Sequence, residues 1–228
     1  MRVAVVTVGD EILAGDITDT NASWLAAALT ERGVSVERMA TVPDEESAIA
    51  ATIETLADEF DAVVVTGGLG PTHDDLTLDG VAAAFSREMV DSEDVRAYLD
   101  SEGYRDYAER GTSATRFPSE AELIPNTEGV APGAVVENVY VFPGVPDEMK
   151  AMFGSVADAF AGERRHTEFV RAAEPESRLV DRLDGARERF DVTLGSYPGD
   201  GVRIKVQGTD QEEVSAASAW LRERVESE

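Results

Sequence analysis

The sequence has no cysteine, only two histidines and only two lysines among its 228 residues. Without cysteine the chain has no disulfide, thiolate metal site, thiol nucleophile or thiol redox switch. It also has no run approaching the roughly 18 apolar residues that predict a membrane span. The apolar stretch that ends at Val8 is too short for a signal peptide and is followed directly by Asp10-Glu11. We therefore expect a cytoplasmic protein without a membrane partner.

Basic residues are scarce relative to acidic ones. The chain has 20 Lys and Arg against 46 Asp and Glu, a formal net charge of −26. The negative electrostatic potential of such a chain disfavours binding to nucleic acid or to an anionic membrane. Because Lys150 and Lys205 are the only lysines, the acidic surface is combined with arginine, a balance typical of proteins that stay soluble in concentrated salt. We interpret most of the charge as halophilic solvation.

A strong salt dependence of stability is the first prediction. Self-repulsion at a net charge of −26 should loosen or unfold the protein at low ionic strength, and screening should restore it. The melting temperature measured by circular dichroism should therefore rise between low and molar KCl. A melting temperature independent of KCl would reject the halophilic interpretation.

The apolar residues are arranged for an α/β fold. They make up 43% of the chain, enough for a sizeable core. Apolar, β-branched runs at Val3–Val8, Val34–Thr41 and Ala62–Thr66 alternate with segments of helical periodicity, which predicts parallel strands covered on both faces. We expect a three-layer α/β/α domain with a mostly parallel sheet over residues 1–162, and a smaller α+β domain over residues 163–228.

Local signals predict several element boundaries. Asp19 or Thr20 should cap a first long helix, and Asp44 should cap a second. An acidic helix is expected from about Ser92 to Arg110, and residues 110–119 carry so little signal that we expect a loop.

A glycine-rich segment, Gly67–Thr77, follows the third predicted strand and opens a helix. Its glycines can turn their N–H groups outward, and the helix N-terminus adds a positive dipole end, so the segment suits an anion such as phosphate. A simple strand-to-helix turn is the alternative. Asp74-Asp75 favour the anion site, because two carboxylates beside a phosphate require a cation such as Mg²⁺ between them.

A second polar segment, from Gly9 to Asn21, follows the first predicted strand. Asp44 follows the second, and in a parallel sheet all these groups lie at the same edge, where ligands bind. Solvated loop residues and an ordinary cap are the alternatives. His73 adjoins the glycines and is interpreted as a loop residue, and His166 as incidental.

Four segments together carry a family resemblance. They are Gly9–Gly15 with Asp19–Asn21, Thr66–Thr77, Asn126–Gly133 and Pro143–Met149. In order and spacing they resemble the molybdopterin-binding (MoaB/MogA-like) domain of the competence/damage-inducible protein A (CinA) family. The segment from about Phe169 resembles the small KH-like domain that follows it there, and the C-terminal amidohydrolase domain of longer members is expected to be absent.

The resemblance implies catalytic roles for Asp75 and Asp44, with Mg²⁺ or another divalent cation held by Asp75, Asp74 and Asp10. Leu69 and Asp74 replace the Thr and Arg usual in the enzymes that adenylylate molybdopterin. This difference favours the CinA-like branch, which the resemblance links to metal-dependent hydrolysis of ADP-ribose-like dinucleotides.

The function expected is therefore binding of a phosphorylated pterin or adenine dinucleotide, with hydrolysis of its pyrophosphate if the protein is an enzyme. The alternatives are a molybdopterin nucleotidyltransferase in molybdenum cofactor biosynthesis and a non-catalytic pterin or nucleotide binder. An RNA-binding role for the second domain is weaker, because it lacks a basic G-x-x-G loop. The expected ligand-binding residues are Gly9, Asp10, Glu11, Asn21, Gly67, Gly68, Leu69, Gly70, Pro71, Thr72, Asp74, Thr77, Asn126, Pro143 and Gly144.

The charge is unevenly divided between the two expected domains. Residues 1–162 carry 9 basic and 31 acidic groups, and residues 163–228 carry 11 and 15. The muted charge of the second domain suggests that another subunit covers part of it, and we expect a homo-oligomer, a dimer or a trimer. The arginines expected at such an interface include Arg164, Arg165, Arg171, Arg182, Arg187 and Arg189.

Overall fold

The computed structural model describes residues 1–70, 75–104 and 114–226. The chain forms two compact units, Met1–Gly162 and Glu163–Glu228. The strands are β1 (Arg2–Val8), β2 (Ser35–Val42), β3 (Ala62–Thr66), β4 (Met89–Asp91), β5 (Arg116–Pro118), β6 (Glu122–Ile124), β7 (Gly133–Val136), β8 (Val139–Phe142), β9 (His166–Ala172), β10 (Thr193–Gly199) and β11 (Gly201–Gly208). The helices are α1 (Asp10–Leu13), α2 (Thr20–Glu31), α3 (Glu46–Glu59), α4 (Thr77–Ala84), α5 (Glu93–Ser101), α6 (Pro146–Val156), α7 (Val180–Arg189) and α8 (Gln211–Arg222).

The first unit is built on a six-stranded sheet of order β2-β1-β3-β8-β7-β6. Strands β2, β1, β3 and β8 are parallel, and β7 and β6 extend the sheet in antiparallel pairing. All four parallel strands therefore end at one edge. The mostly parallel α/β fold expected from the alternating pattern is confirmed.

Alternate residues of the central strands contribute side chains to two separate hydrophobic cores, one on each face of the sheet. Val3 and Val5 of β1 pack with α2 and α6 on one face, whereas Ala4 and Val6 pack with α3, α4 and α5 on the other. Strand β3 is buried along its whole length. The sheet is thus covered by helices on both faces, which explains why its central strands are continuously apolar.

The prediction that Asp19 caps the first long helix, α2, is confirmed. The Asp19 carboxylate accepts a hydrogen bond from the Ala22 N–H at 2.9 Å and so caps the helix. Gly33 follows the C-cap with φ of +80°, a conformation that glycine adopts without strain.

Three local predictions are wrong. Asp44 does not cap α3: the N-cap is Glu45, without a side-chain bond, and Asp44 accepts the Asp10 N–H instead. Strand β2 is an edge strand and stays half-exposed, not covered on both faces. Helix α5 stops at Ser101, where the Tyr104 N–H bonds Leu99 O at 2.7 Å; the rest of the helix predicted there lies outside the described residues.

The expected loop over residues 110–119 contains a strand. Within its described part, β5 pairs antiparallel with β4, from Met89 opposite Pro118 to Asp91 opposite Arg116. The pairing joins segments far apart in sequence, and each strand has only three residues. Such a short pair carries too little alternation to stand out in a sequence.

The second unit has an antiparallel sheet of order β10-β11-β9. Its buried face packs on α7 and α8 through Val170, Ile204, Leu183 and Leu221. This smaller antiparallel domain is the α+β part of the expected fold class.

A buried ion pair holds residues 224–226 in place within the second unit. The Glu174 side chain is 1% exposed and is bound by both terminal nitrogens of Arg182. Glu174 also accepts the Glu226 N–H at 3.1 Å, and Arg182 donates to Arg224 O at 2.7 Å. The hydrogen bond from Arg182 lowers the pKa of Glu174 below its ordinary value of 4.5.

This pair should make the stability of the second unit acid-sensitive. Because the folded-state pKa of Glu174 is lowered, its stabilising contribution is complete above pH 4.5 and is lost as the pH falls through the lowered value. Glu174→Gln should therefore lower the melting temperature at neutral pH, and the difference from wild type should shrink in acid. Glu223→Gln, which removes an exposed carboxylate beside Arg224, is the control. An equally large effect of both variants across the pH range would contradict this role.

No helix among the described residues combines the length and apolar character needed to span a bilayer.

Candidate functional site

The topology creates a crevice at the carboxyl edge of the first sheet. Strand β1 lies between β2 and β3 in the sheet. The chain therefore turns to one side of β1 to form β2 and later returns to its other side to form β3. The loops after two such strands diverge and leave a space between them, the position where open α/β sheets bind ligands. Here that space is a pocket of about 440 Å³, whose wall includes Gly9, Glu11, Asn21, Asp44, Gly67, Gly68, Asp75 and Gly144.

Two glycines allow the backbone after β3 to cross the end of β1. Gly67 has φ of +108°, and a Cβ on it would lie 2.2 Å from Val8 O. Gly68 has φ of +60°, and its Cβ would lie 2.3 Å from Thr77 Oγ1. A side chain fits at neither position. The glycine-rich segment therefore provides a bare backbone surface at the crevice, as the anion-site interpretation requires.

Two carboxylates flank this backbone. A Cβ on Gly68 would lie 3.6 Å from Asp44 Oδ1, and one on Gly70 would lie 2.7 Å from Asp75 Oδ2. Asp44 is oriented by the Asp10 N–H, which donates to its Oδ2 at 2.9 Å. The structure thus brings together Asp44 and Asp75, which come from the loops after β2 and β3.

The hydroxyl of Thr77 lies buried beneath Gly68. Thr77 is 0% exposed, and its Oγ1 has no hydrogen-bond partner among the described residues. Buried polar atoms without a partner are uncommon in proteins. Thr77 lies in the wall of neither pocket, so its hydroxyl is enclosed beneath the glycine turn and does not face the cleft.

A network of hydrogen bonds joins the first turn of α2 and the end of β3 to the loop after β8, and the end of β1 to the N-cap of α2. The Asn21 side-chain amide donates to Gly144 O at 2.7 Å, and the Thr66 hydroxyl donates to Pro143 O at 2.8 Å. The Thr7 hydroxyl donates to the Asp19 carboxylate at 2.6 Å. These bonds fix the walls of the pocket, so Asn21 contributes both to its lining and to its rigidity.

A second pocket of about 480 Å³ continues on the other side of the glycine segment. It shares Gly68, Asp75, Gly144 and Val145 with the first. Its further wall residues are Leu69, Gly70, Val130, Ala131, Pro143 and Glu148. The site is therefore a two-lobed cleft, with Gly68 and Asp75 where the lobes meet.

Asn126 supports the cleft from behind its wall. Its side chain is 2% exposed and donates to Ala131 O at 2.9 Å and to Glu148 Oε2 at 2.7 Å. Its Oδ1 accepts the Glu128 N–H at 3.2 Å. With these bonds Asn126 holds the loop that carries Val130 and Ala131, and it lies in the wall of neither pocket.

The Asp10 side chain is exposed and lies in the wall of neither pocket, although its N–H orients Asp44. The predicted residues Pro71, Thr72 and Asp74, as well as His73, lie outside the described residues. Wall residues that sequence patterns did not single out are Ile17, Thr18, Val130, Ala131 and Glu148. Each lies within or next to one of the four motif segments, which is the only signal that could have found it.

A divalent cation fits this arrangement only if water and a bound ligand supply part of its coordination shell. In the described part of the chain, no three His, Cys, Asp or Glu side chains are close enough to hold a metal without other ligands. Mg²⁺, however, commonly takes one or two carboxylates and completes its shell with water and phosphate oxygens. Asp44 and Asp75 meet that requirement, so the residues fit a cation that binds together with a phosphorylated ligand.

Comparison with known proteins agrees with these features. The family described as "probable molybdopterin binding domain" matches residues 4–161, and the family "FAD synthase, middle domain" matches residues 164–228. A crystal structure of the protein CinA from Thermoplasma acidophilum is 32% identical, with a TM-score of 0.64, and the match covers 70% of this chain and 97% of that one. The chain belongs to the CinA family.

Two curated relatives show how far the similarity to CinA-like proteins extends. A protein of Archaeoglobus fulgidus is 41% identical over 98% of this chain and 97% of its own length. A CinA-like protein of Geobacter metallireducens is 34% identical over 99% of this chain but only 60% of its own length. Both units of the chain are therefore part of the similarity to CinA-like proteins.

Proposed function

We propose that this CinA-like protein binds a dinucleotide-like pyrophosphate together with a divalent cation and hydrolyses the pyrophosphate. The observation that carries the proposal is the two-lobed cleft. Lobes of about 440 and 480 Å³ meet at Gly68 and Asp75, and each is large enough for a small-molecule site. A ligand with a ring system at each end and phosphates between them matches that shape.

In this proposal the glycine backbone binds the phosphates and the carboxylates bind the cation. N–H groups of the turn at Gly67–Gly70 would donate to phosphate oxygens. Asp75 and Asp44 would hold the cation, which neutralises phosphate charge when bound.

The proposed reaction is a displacement at phosphorus. The oxygen of a water molecule bonds to one phosphorus of the pyrophosphate, and the bond from that phosphorus to the bridging oxygen breaks. The bridging oxygen leaves with the second phosphate, one water proton passes to solvent while the other stays on the newly bonded oxygen, and two phosphate monoesters result. Fixed positions for the carboxylates favour this chemistry, because positioning and electrostatics dominate phosphoryl-group reactions.

ADP-ribose and FAD are the substrate candidates within this class. The similarity to a molybdopterin-binding domain family supports a second candidate function, nucleotidyl transfer to molybdopterin in molybdenum cofactor biosynthesis. A protein that binds a pterin or nucleotide without turnover is the third.

The test incubates the full chain with ADP-ribose, FAD or ATP plus a pterin acceptor, in KCl with Mg²⁺, Mn²⁺ or Co²⁺. Products are separated by chromatography, and the water carries ¹⁸O. We expect two monoesters from a dinucleotide, with one ¹⁸O in a product phosphate. Label-free adenylylated pterin would instead identify a nucleotidyltransferase. Metal-dependent binding by calorimetry without products would identify a binder, and neither binding nor products would reject the site.

A further inference from the structure

In the second unit the helices pack on one face of the sheet, and none of that unit's described helices packs on the other. Strand alternation divides the residues of β9, β10 and β11 between two faces, and one face packs on α7 and α8. The other presents side chains that include two aromatic and three basic groups. We call this the basic aromatic face and define it as Phe169, Arg171, Tyr197, Arg203 and Lys205.

The aromatic rings of this face are open. Phe169 is 48% exposed and Tyr197 is 46% exposed. Arg203 stands between them, with its guanidinium carbon 5.0 Å from the Phe169 ring centre and 5.4 Å from that of Tyr197. The three side chains form one ordered surface, because each ring restrains the arginine by a cation–π contact.

The cations of the face form no ion pair with a described residue, although Asp200 lines the same pocket as Arg171 and Arg203. Arg171 lies directly opposite Arg203 in the antiparallel pair of β9 and β11, and like charges in that position destabilise a sheet. Within residues 1–70, 75–104 and 114–226, no carboxylate lies within ion-pair distance of Arg171, Arg203 or Lys205. In a chain with 46 acidic residues, three cations on one sheet face without an ion-pair partner in the described part of the chain are unexpected.

Other arginines of the unit behave differently. Arg182 binds Glu174, Arg187 binds Asp184 and Arg222 binds Glu168. Three of the six arginines named above for an interface differ in this respect. Arg182 and Arg187 have partners within the unit, whereas Arg171 lies on the basic aromatic face.

We propose that the basic aromatic face binds the acidic surface of the first unit in a second copy of this chain. Residues 1–162 carry 31 acidic and 9 basic groups, so a neighbouring copy supplies the carboxylates that the face lacks. Aromatic residues and arginine are also the groups enriched at the centre of protein interfaces. Burial of Phe169 and Tyr197 adds an attraction that salt does not screen.

A second copy fits this face better than RNA does. Exposed rings and cations also bind single-stranded nucleic acid, but that binding depends on phosphate contacts that salt weakens. The chain as a whole has a net charge of −26, so the surface around the basic aromatic face repels a polyanion. An acidic protein surface can pair with the same cations, and it needs carboxylates only at the positions opposite them.

The experiment is sedimentation velocity on the full chain over a range of concentrations. Arg203→Glu and Phe169→Ser change the face, and Arg187→Glu makes the same charge change at an exposed arginine of α7. We expect wild type and Arg187→Glu to associate alike. Both face variants should weaken association about tenfold or more, as loss of a central interface residue does. Circular dichroism confirms that each variant is folded, and two face variants guard against one that is not.

Three outcomes overturn the proposal. The first is a wild-type protein that stays monomeric at every concentration, in which case the face has no second copy to bind. The second is association that neither face variant changes. The third is binding of a fluorescent oligouridylate that Arg203→Glu abolishes while association persists, which would assign the face to RNA.

Discussion

Asp75→Asn should reduce metal-dependent pyrophosphate hydrolysis by roughly 10²–10³-fold, the loss expected when one fixed electrostatic group is removed from a reaction centre. Asp75 lies where the two lobes of the cleft meet, and its carboxylate is beside Gly70. An amide has nearly the same shape but no charge, so it holds a cation much less well. The rate is measured as the formation of AMP from ADP-ribose at saturating Mg²⁺.

The control for this prediction is Asp58→Asn. Asp58 is an exposed carboxylate on α3, away from both lobes of the cleft, and its substitution makes the same change in net charge. It should leave the rate unchanged. The two variants should also melt close to wild type, because an amide keeps the shape of the carboxylate it replaces. Full activity in Asp75→Asn, or loss of the fold, would show that Asp75 does not bind the cation.

The central sheet and its edge could be predicted because their signals are local. Strand β3 is a short, wholly apolar run, and glycines follow it at once. Parallel strands bring the segments after them to one edge whatever the details of packing. That geometry alone placed Gly9, Asp44 and Gly67 near one another, and the structure has all three in the wall of one pocket.

The roles of individual polar residues could not be predicted in the same way. Pro43-Asp44 has the pattern of a helix cap, but the tertiary contact from the Asp10 N–H takes the Asp44 carboxylate. The partners of Asn126 are Ala131 and Glu148, and the latter is 22 residues away. A carboxylate or amide that could bind a ligand can equally bind the backbone of a loop in the protein itself. Only the distances in the structure distinguish these two roles.

Gly67→Ala should lower the stability of the first unit by about 2–4 kcal/mol, the sum of backbone strain and a steric clash. At φ of +108° the residue has a conformation that L side chains avoid, and the new Cβ would lie 2.2 Å from Val8 O. Since the clashing atom is backbone at the buried end of β1, it cannot move aside as a flexible side chain would. The loop must shift, and with it the N–H groups proposed to bind phosphate.

Two further alanine substitutions separate the causes of that loss. Gly15 has φ of +77° but nothing within 4 Å of its Cβ position, so Gly15→Ala should show the cost of the backbone conformation alone, about 1 kcal/mol. Gly154, exposed within α6, also has an open Cβ position, and Gly154→Ala should stabilise by up to about 1 kcal/mol. Thermal melting of the three variants, with calorimetry of ADP-ribose binding, should therefore rank Gly154→Ala above wild type, then Gly15→Ala, with Gly67→Ala lowest and deficient in binding. If Gly67→Ala melts together with Gly15→Ala, the close crossing of β1 by the glycine segment does not exist in solution, and the proposed phosphate site loses its framework.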